Sequence, residues 1–234
     1  MDGNKAATPT GAGPDKRRIL AATLLRFAVA IPTLGALVFV PAGSLAYRNG
    51  WLFIATILAL MAAALVFLFR KDPTLLEKRL KTREGQDRQK LLVSLSALAI
   101  VPVFVLPPLD WRFGWSRVPV WIVAAATLAL AAGYALFIAV LRANSFASRV
   151  IEVQEGQKVI DSGPYAHVRH PMYSTAILIY FAIPLVLGSW WGLVPALAIP
   201  PLLALRARSE EAFLRKELPG YAEYAQRVRW RFLP

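Results

Sequence analysis

Cysteine is absent from the 234 residues. Disulfides, thiolate metal sites and cysteine nucleophiles are thereby excluded. Histidine occurs only as His167 and His170; two imidazoles with no third ligand at hand do not make a metal site, and none is expected. Acidic residues are scarce, 14 against 27 Lys and Arg, for a formal charge of +13. Charge of either sign is low, at 18% of residues, where soluble domains carry about 25%. Apolar residues make up 57%, an excess that requires a second solvent, the bilayer. The basic residues sit between apolar runs and not on one face. They read as loops facing anionic membrane lipids, and no nucleic-acid partner is expected.

Along the chain, residues 1–18 are polar and end in Lys16-Arg17-Arg18, the form of a disordered tail. An apolar segment from about Ile19 to Val40 is long enough to cross roughly 30 Å of hydrocarbon. Ser44-Leu45-Ala46 has the small-x-small form of a cleavage signal, but the run before it is too long for an ordinary signal peptide. A second span runs from about Trp51 to Phe69. A connector over 71–90 follows, in which Asp72-Pro73 caps a short amphipathic helix at the interface. The third span, about Leu91 to Leu106, is shorter and contains Pro102, and Asp110 to Trp115 reads as an interfacial aromatic turn. The fourth extends from about Val118 to Leu141, completing an N-terminal membrane region over 19–141.

Residues 142–172 are polar, with two β-type runs around Glu155-Gly156 that suggest a hairpin or extended loop. Two short apolar runs, about Tyr173–Leu187 and Leu193–Leu205, carry Pro184, Pro195, Pro200 and Pro201. They predict a tilted, kinked helical hairpin, with an amphipathic charged helix from Arg206 onward. Basic clusters precede span one and follow spans two, four and the hairpin, so both termini and the 142–172 segment are expected in the cytoplasm. The expected fold is all-α: a polytopic membrane bundle of five to six transmembrane helices ending in a helical hairpin, with a cytoplasmic C-terminal site in 142–234.

Charge at the edge of an apolar hairpin is costly and tends to mark function. Two such clusters exist, Gly163 to Tyr173 with both histidines, and Arg206 to Glu211. The hairpin leaves the boundary at Tyr173 and returns near Leu205, which brings them together. Singly, Arg169 and His170 would read as snorkelling interface residues, Tyr165 and Tyr173 as belt aromatics, and Glu210-Glu211 as a solvated helix start.

Taken in order, Gly163-Pro164-Tyr165, Arg169-His170-Pro171-Met172-Tyr173, Glu210-Glu211 and Gly220-Tyr221-Ala222-Glu223-Tyr224 resemble a C-terminal signature. It is that of the isoprenylcysteine carboxyl methyltransferase and phospholipid N-methyltransferase superfamily of integral membrane methyltransferases. The resemblance spans roughly Asn144 to Pro234. It implies S-adenosyl-L-methionine as cofactor, with Gln154, Gln157, Lys158, Val159 and Ile160 on its adenosine side and Tyr165 packed on it. It further implies His170, Pro171, Met172 and Tyr173 around the methionine and ribose portion. Glu210 would accept a hydrogen bond from the α-ammonium, and Arg206 would face the substrate. Two positions depart from the pattern: Gln157 stands where histidine is common, and Thr175 where glycine is usual.

Methyl transfer from a sulfonium is an in-line displacement, so the protein's task is positioning and excluding water. A zwitterionic cofactor end needs a carboxylate, Glu210, and a cation, Arg169 or His170. A carboxylate acceptor would be held by the planar fork of Arg206. A phospholipid amine would need a base, for which Glu211 is placed. The first reading is O-methylation of an isoprenylcysteine-like lipophilic substrate entering from the membrane. The alternatives are phospholipid N-methylation, an NADPH-dependent sterol-type reductase sharing Arg-His-Pro-x-Tyr, and a membrane scaffold without activity.

Overall fold

The computed structural model describes residues 16–71, 73, 75–76, 87–147 and 153–232. The tail over 1–15, most of the amphipathic connector and the first run of the expected 142–172 hairpin lie outside the described residues. Among the described residues three helices are long and apolar enough to cross a membrane, Leu20–Ala42, Arg48–Lys71 and Val120–Ala143. Side chains such as Leu25, Val40, Leu98, Val120 and Leu128 point outward and exposed, as a surface solvated by lipid requires.

The helices are α1 (Lys16–Ala42), α2 (Arg48–Lys71), α3 (Asp87–Phe113), α4 (Val120–Ala143), α5 (Pro171–Val186), the single turn α6 (Leu193–Ala196), α7 (Ile199–Glu217) and α8 (Tyr221–Arg227). Among the described residues there is no strand, only an isolated parallel bridge between Val168 and Trp230. The chain is an all-α membrane helical bundle.

The third helix is longer than its apolar run. It continues through Pro102, Pro107 and Pro108 to Phe113, so Asp110 to Phe113 are helical and do not form the expected turn. The turn comes at Gly114, with φ of +67°; its amide and that of Trp115 both donate to the Asp110 carbonyl, a left-handed C-terminal cap. Asp110 itself is fully buried. Its carboxylate accepts from the Ser116 amide at 2.6 Å and from the hydroxyls of Ser116 and Ser189. The end of α3 is thereby tied to the loop that turns α5 back into α6. Tyr47, whose hydroxyl donates to the Leu187 carbonyl, closes the same end.

Helix α5 lies along α4, while α3 contacts α1, α5, α6 and α7. The core between them is built from Val38, Phe53, Val103, Leu130, Ile183 and Val186. Gly133 sets the closest approach: a Cβ there would stand 2.8 Å from Ile179 Cγ1. Small residues let membrane helices come together where no hydrophobic force drives them. The hairpin's second arm is broken at Leu197-Ala198, before Pro200 and Pro201 in the first turn of α7, where proline's missing amide costs no hydrogen bond. From there α7 runs unbroken across the expected boundary at Arg206, carrying Arg206, Glu210 and Glu211 on one rigid rod.

Replacing Gly133 by Leu is expected to destabilise the bundle by about 1–3 kcal/mol, the usual cost of overpacking. Gly35→Leu is the control, since a Cβ there meets nothing within 4 Å. Thermal midpoints in detergent for the two variants test this; equal midpoints would show that the α4–α5 approach does not depend on Gly133.

Candidate active site

The site begins where the polar segment enters α5. Pro171 occupies the first turn of α5 with His170 just before it, so the His170 ring is delivered to the base of the helix. Helix α7 returns alongside and presents Glu210 and Glu211. The two glutamates are neighbours in sequence but about 100° apart around the helix, and they meet different partners.

Glu211 points inward and is 3% exposed. Arg169 Nε donates to its Oε1 at 2.8 Å, and His170 Nε2 lies 3.1 Å from the same oxygen. Arg231 grips the carboxylate through Nε and Nη2, at 3.2, 3.3 and 3.1 Å. An ionised carboxylate only accepts, so the proton on Nε2 belongs to His170. Burial would raise the Glu211 carboxyl, but the hydrogen bonds from His170, Arg231 and Arg169 outweigh it and hold the group well below the ordinary carboxylate range.

Arg169 is itself buried. Its Nη1 donates to the carbonyls of Ala225, Val228 and Arg229 at 3.3, 2.7 and 3.0 Å. The chain after α8 runs back beside the motif: the Arg169 and His170 amides donate to the carbonyls of Trp230 and Arg231, each at 2.9 Å. The Ser174 hydroxyl donates to the Phe232 carbonyl, and the Phe232 ring rests against His170 and Tyr173, with centroids 6.2 and 6.3 Å away. Residues 228–232 form a strap that closes the site from below.

Glu210 takes the other side. Tyr173 donates to its Oε2 at 2.6 Å and accepts from Arg206 Nε at 3.2 Å. The Tyr173 ring stacks on His170 at 5.3 Å with planes 10° apart, and His170 Nδ1 stands 3.8 Å from Glu210 Oε2. The Glu210 side chain is 27% exposed. Arg169, His170, Tyr173, Arg206, Glu210 and Glu211 are therefore one contiguous cluster.

The remaining predicted positions surround it. Gln154 to Gln157 form a turn with Gly156 at φ +70°, the Gln157 amide donating to the Gln154 carbonyl at 3.0 Å. The Gln154 amide side chain donates to the Phe146 carbonyl at 2.9 Å, while its Oε1 is buried without a hydrogen-bond partner among the described residues. Val159 packs on the cluster of Leu218, Tyr221 and Tyr224; Lys158 is exposed and Ile160 half-buried. Tyr165 accepts from Asn144 at 3.0 Å, and its carbonyl accepts from Tyr224 at 2.8 Å. Met172 faces away, toward Leu68, Leu75 and Leu141. Thr175, at the position usually glycine, is buried and spends its hydroxyl on the Met172 carbonyl at 2.7 Å. His167 is exposed while His170 is buried, and no group of metal ligands exists among the described residues.

Sequence reasoning missed Arg231 and Phe232, and gave Tyr221 and Tyr224 no role. The only signal for the strap was the alternation of arginine and aromatic residues from Arg229 to Phe232.

Glu211→Gln is expected to destabilise by about 3–5 kcal/mol, because it leaves Arg169 buried without its counter-charge. The folded carboxyl is depressed, so its contribution is complete above its ordinary value near 4.5 and fades as pH falls below that. Melting midpoints between pH 3 and 7 check both points: wild type should lose stability below about pH 4.5 more steeply than the variant.

Residues 121–219 match the model of the phospholipid methyltransferase family. The match starts earlier than the sequence motifs, within α4, and stops before Gly220, α8 and the strap. A search of curated proteins found no significant match. Over that segment the chain is similar to the phospholipid methyltransferase family, which lies within the superfamily of integral membrane methyltransferases that also includes the isoprenylcysteine carboxyl methyltransferases.

Proposed function

We propose that the protein transfers the methyl group of S-adenosylmethionine to a carboxylate of an isoprenylcysteine-like lipophilic substrate, reached from within the bilayer. The termini and the site would face the cytoplasm, with α1 to α4 crossing singly and α5 to α7 forming a bent hairpin.

The residues fit that cofactor. Glu210 is a partly exposed carboxylate, fixed by Tyr173 and suited to an ammonium group. Gln154 Oε1 is a buried acceptor without a partner among the described residues, suited to an amino or hydroxyl donor of the nucleoside. Gln157, Lys158, Val159, Ile160 and Tyr165 would line that side, and His170 with Tyr173, flanked by Pro171, the methionine side, from which the Met172 side chain is turned away. When bound, the sulfonium supplies an electrophilic methyl carbon. The chain's own residues position the reactants: Tyr173 orients Glu210, Glu211 and the strap fix His170, and Arg206 meets the acceptor.

One observation carries the choice of acceptor. Glu211, the carboxylate placed by sequence to deprotonate an amine, is saturated by Arg169, His170 and Arg231. A general base must be able to take a proton near working pH, and this one is held far below it. Arg169, expected together with His170 as a candidate for the cofactor's carboxylate, is likewise committed to Glu211 and three carbonyls. Both become positioning residues in this reading. The second reading, N-methylation of a phospholipid amine, is favoured by the name of the matched family; it would need Glu210 or the substrate's own phosphate as base.

Label from the methyl donor is expected in a base-labile form released as volatile methanol. Base-stable label in lipid would favour the amine reading. Calorimetry in detergent should show S-adenosylhomocysteine binding, weakened about tenfold to a hundredfold by Glu210→Ala, the worth of a hydrogen bond to a charged group. Binding of NADPH in its place would mean a reductase.

A further inference from the structure

Tyr221, at the start of α8, is 4% exposed. It belongs to an apolar cluster with Leu218, Tyr224 and Ala225, against which Val153, Val159 and Leu214 pack, and its ring lies 5.7 Å from that of Tyr224. The neighbouring tyrosine behaves as a buried phenol should, donating to the Tyr165 carbonyl at 2.8 Å. The Tyr221 hydroxyl is buried and has no hydrogen-bond partner among the described residues. A phenol in a core ordinarily finds one, and an unsatisfied buried group costs stability. Its surroundings are those of the site: burial first, then the Glu211 and Glu210 carboxylates, hold the phenol well above its ordinary range. It is therefore a neutral donor at every physiological pH.

A second buried polar atom is without a partner among the described residues. Gln154 Oε1 is an acceptor, and Val153, the residue before it, belongs to the apolar cluster that holds the Tyr221 ring. Tyr221 opens α8 just after the end of α7, the helix that carries Glu210 and Glu211, and shares its apolar cluster with Val153 and Val159 from either end of the 154–157 turn. The two groups expected for the carboxylate of an amino-acid ligand, Arg169 and His170, are both engaged by Glu211. We infer that the Tyr221 hydroxyl donates a hydrogen bond to the amino-acid end of the bound methyl donor. This deepens the reading above and rests on it. Tyr221 lies outside the matched residues 121–219, and the resemblance of Gly220 to Tyr224 gave it no role; the role comes from its unpaired, buried hydroxyl.

Tyr221→Phe removes only the oxygen. In the ligand-free protein the change should leave the melting midpoint unchanged or raise it, since an unpaired buried hydroxyl is removed. Calorimetry with S-adenosylhomocysteine should show about tenfold weaker binding. Tyr224→Phe is the contrast: it breaks an existing hydrogen bond and should lower the midpoint. Unchanged affinity in Tyr221→Phe overturns the inference, and a lowered midpoint beside it would show that the hydroxyl is met within the protein. If wild type itself fails to bind S-adenosylhomocysteine, the cofactor reading falls and the inference falls with it.

Discussion

A single buried carboxylate organises this site. Glu211 gathers Arg169 and His170 from the chain before α5 and Arg231 from the strap after α8, and it is itself carried by α7. An uncompensated charge at that depth would be prohibitive; met by three donors it becomes a rivet. Three chain segments that are distant in sequence are fixed to one point, and the imidazole is fixed with them. The arrangement commits Glu211 and Arg169 to each other and to the surrounding backbone. What remains available is the next face of α7, where Glu210 and Arg206 share the Tyr173 hydroxyl. Adjacent glutamates do different work because a helix turns about 100° per residue.

The opposite end of the bundle repeats the device without a cation. Asp110 is satisfied by one amide and two serine hydroxyls, and it ties α3 to the turn between α5 and α6. The α5–α7 hairpin is therefore pinned at both ends. Its prolines bend it, but they do not free it. In the second arm the break at Leu197-Ala198 lets α7 start afresh, and the apolar half of α7 then continues into its charged half as one rod. That continuity gives Glu210 and Arg206 a rigid platform.

The helices of the bundle were legible because their apolar runs exceed what a soluble core can use. The meeting of Arg169–Tyr173 with Arg206–Glu211 was legible too, since a hairpin returns to its own starting level. The extent of α3 was not, because hydropathy falls at Pro107 although the backbone remains helical to Phe113. The division of labour between Glu210 and Glu211 was hidden for a different reason. Composition shows that a carboxylate is present, not how many donors reach it. Residues 228–232 read as a tail because they are too few to declare an element; their order comes from backbone pairing of Trp230 and Arg231 with Arg169 and His170 and from Phe232 on the His170 ring, contacts that only the fold creates.

Register along α4 and α5 sets the depth of the site. From the contact of Gly133 with Ile179, Ala143 is about 15 Å further along α4 and Pro171 about 12 Å back along α5 at 1.5 Å per residue. The first turn of α5 thus ends nearly level with α4, whose last turn carries Arg142. Glu210 and Arg206 meet Tyr173 at that level, the boundary where a lipid keeps its polar group. A prenylated carboxylate and a phospholipid amine both reside there, so depth admits either. Charge does not treat them alike. Arg169, Arg206 and Arg231 stand against Glu210 and Glu211, leaving one positive charge in excess before His170 is counted. In a poorly solvated boundary region that surplus attracts an anion; in the proposed reading this anion is the reacting carboxylate itself, whereas a phospholipid would answer it with its phosphate.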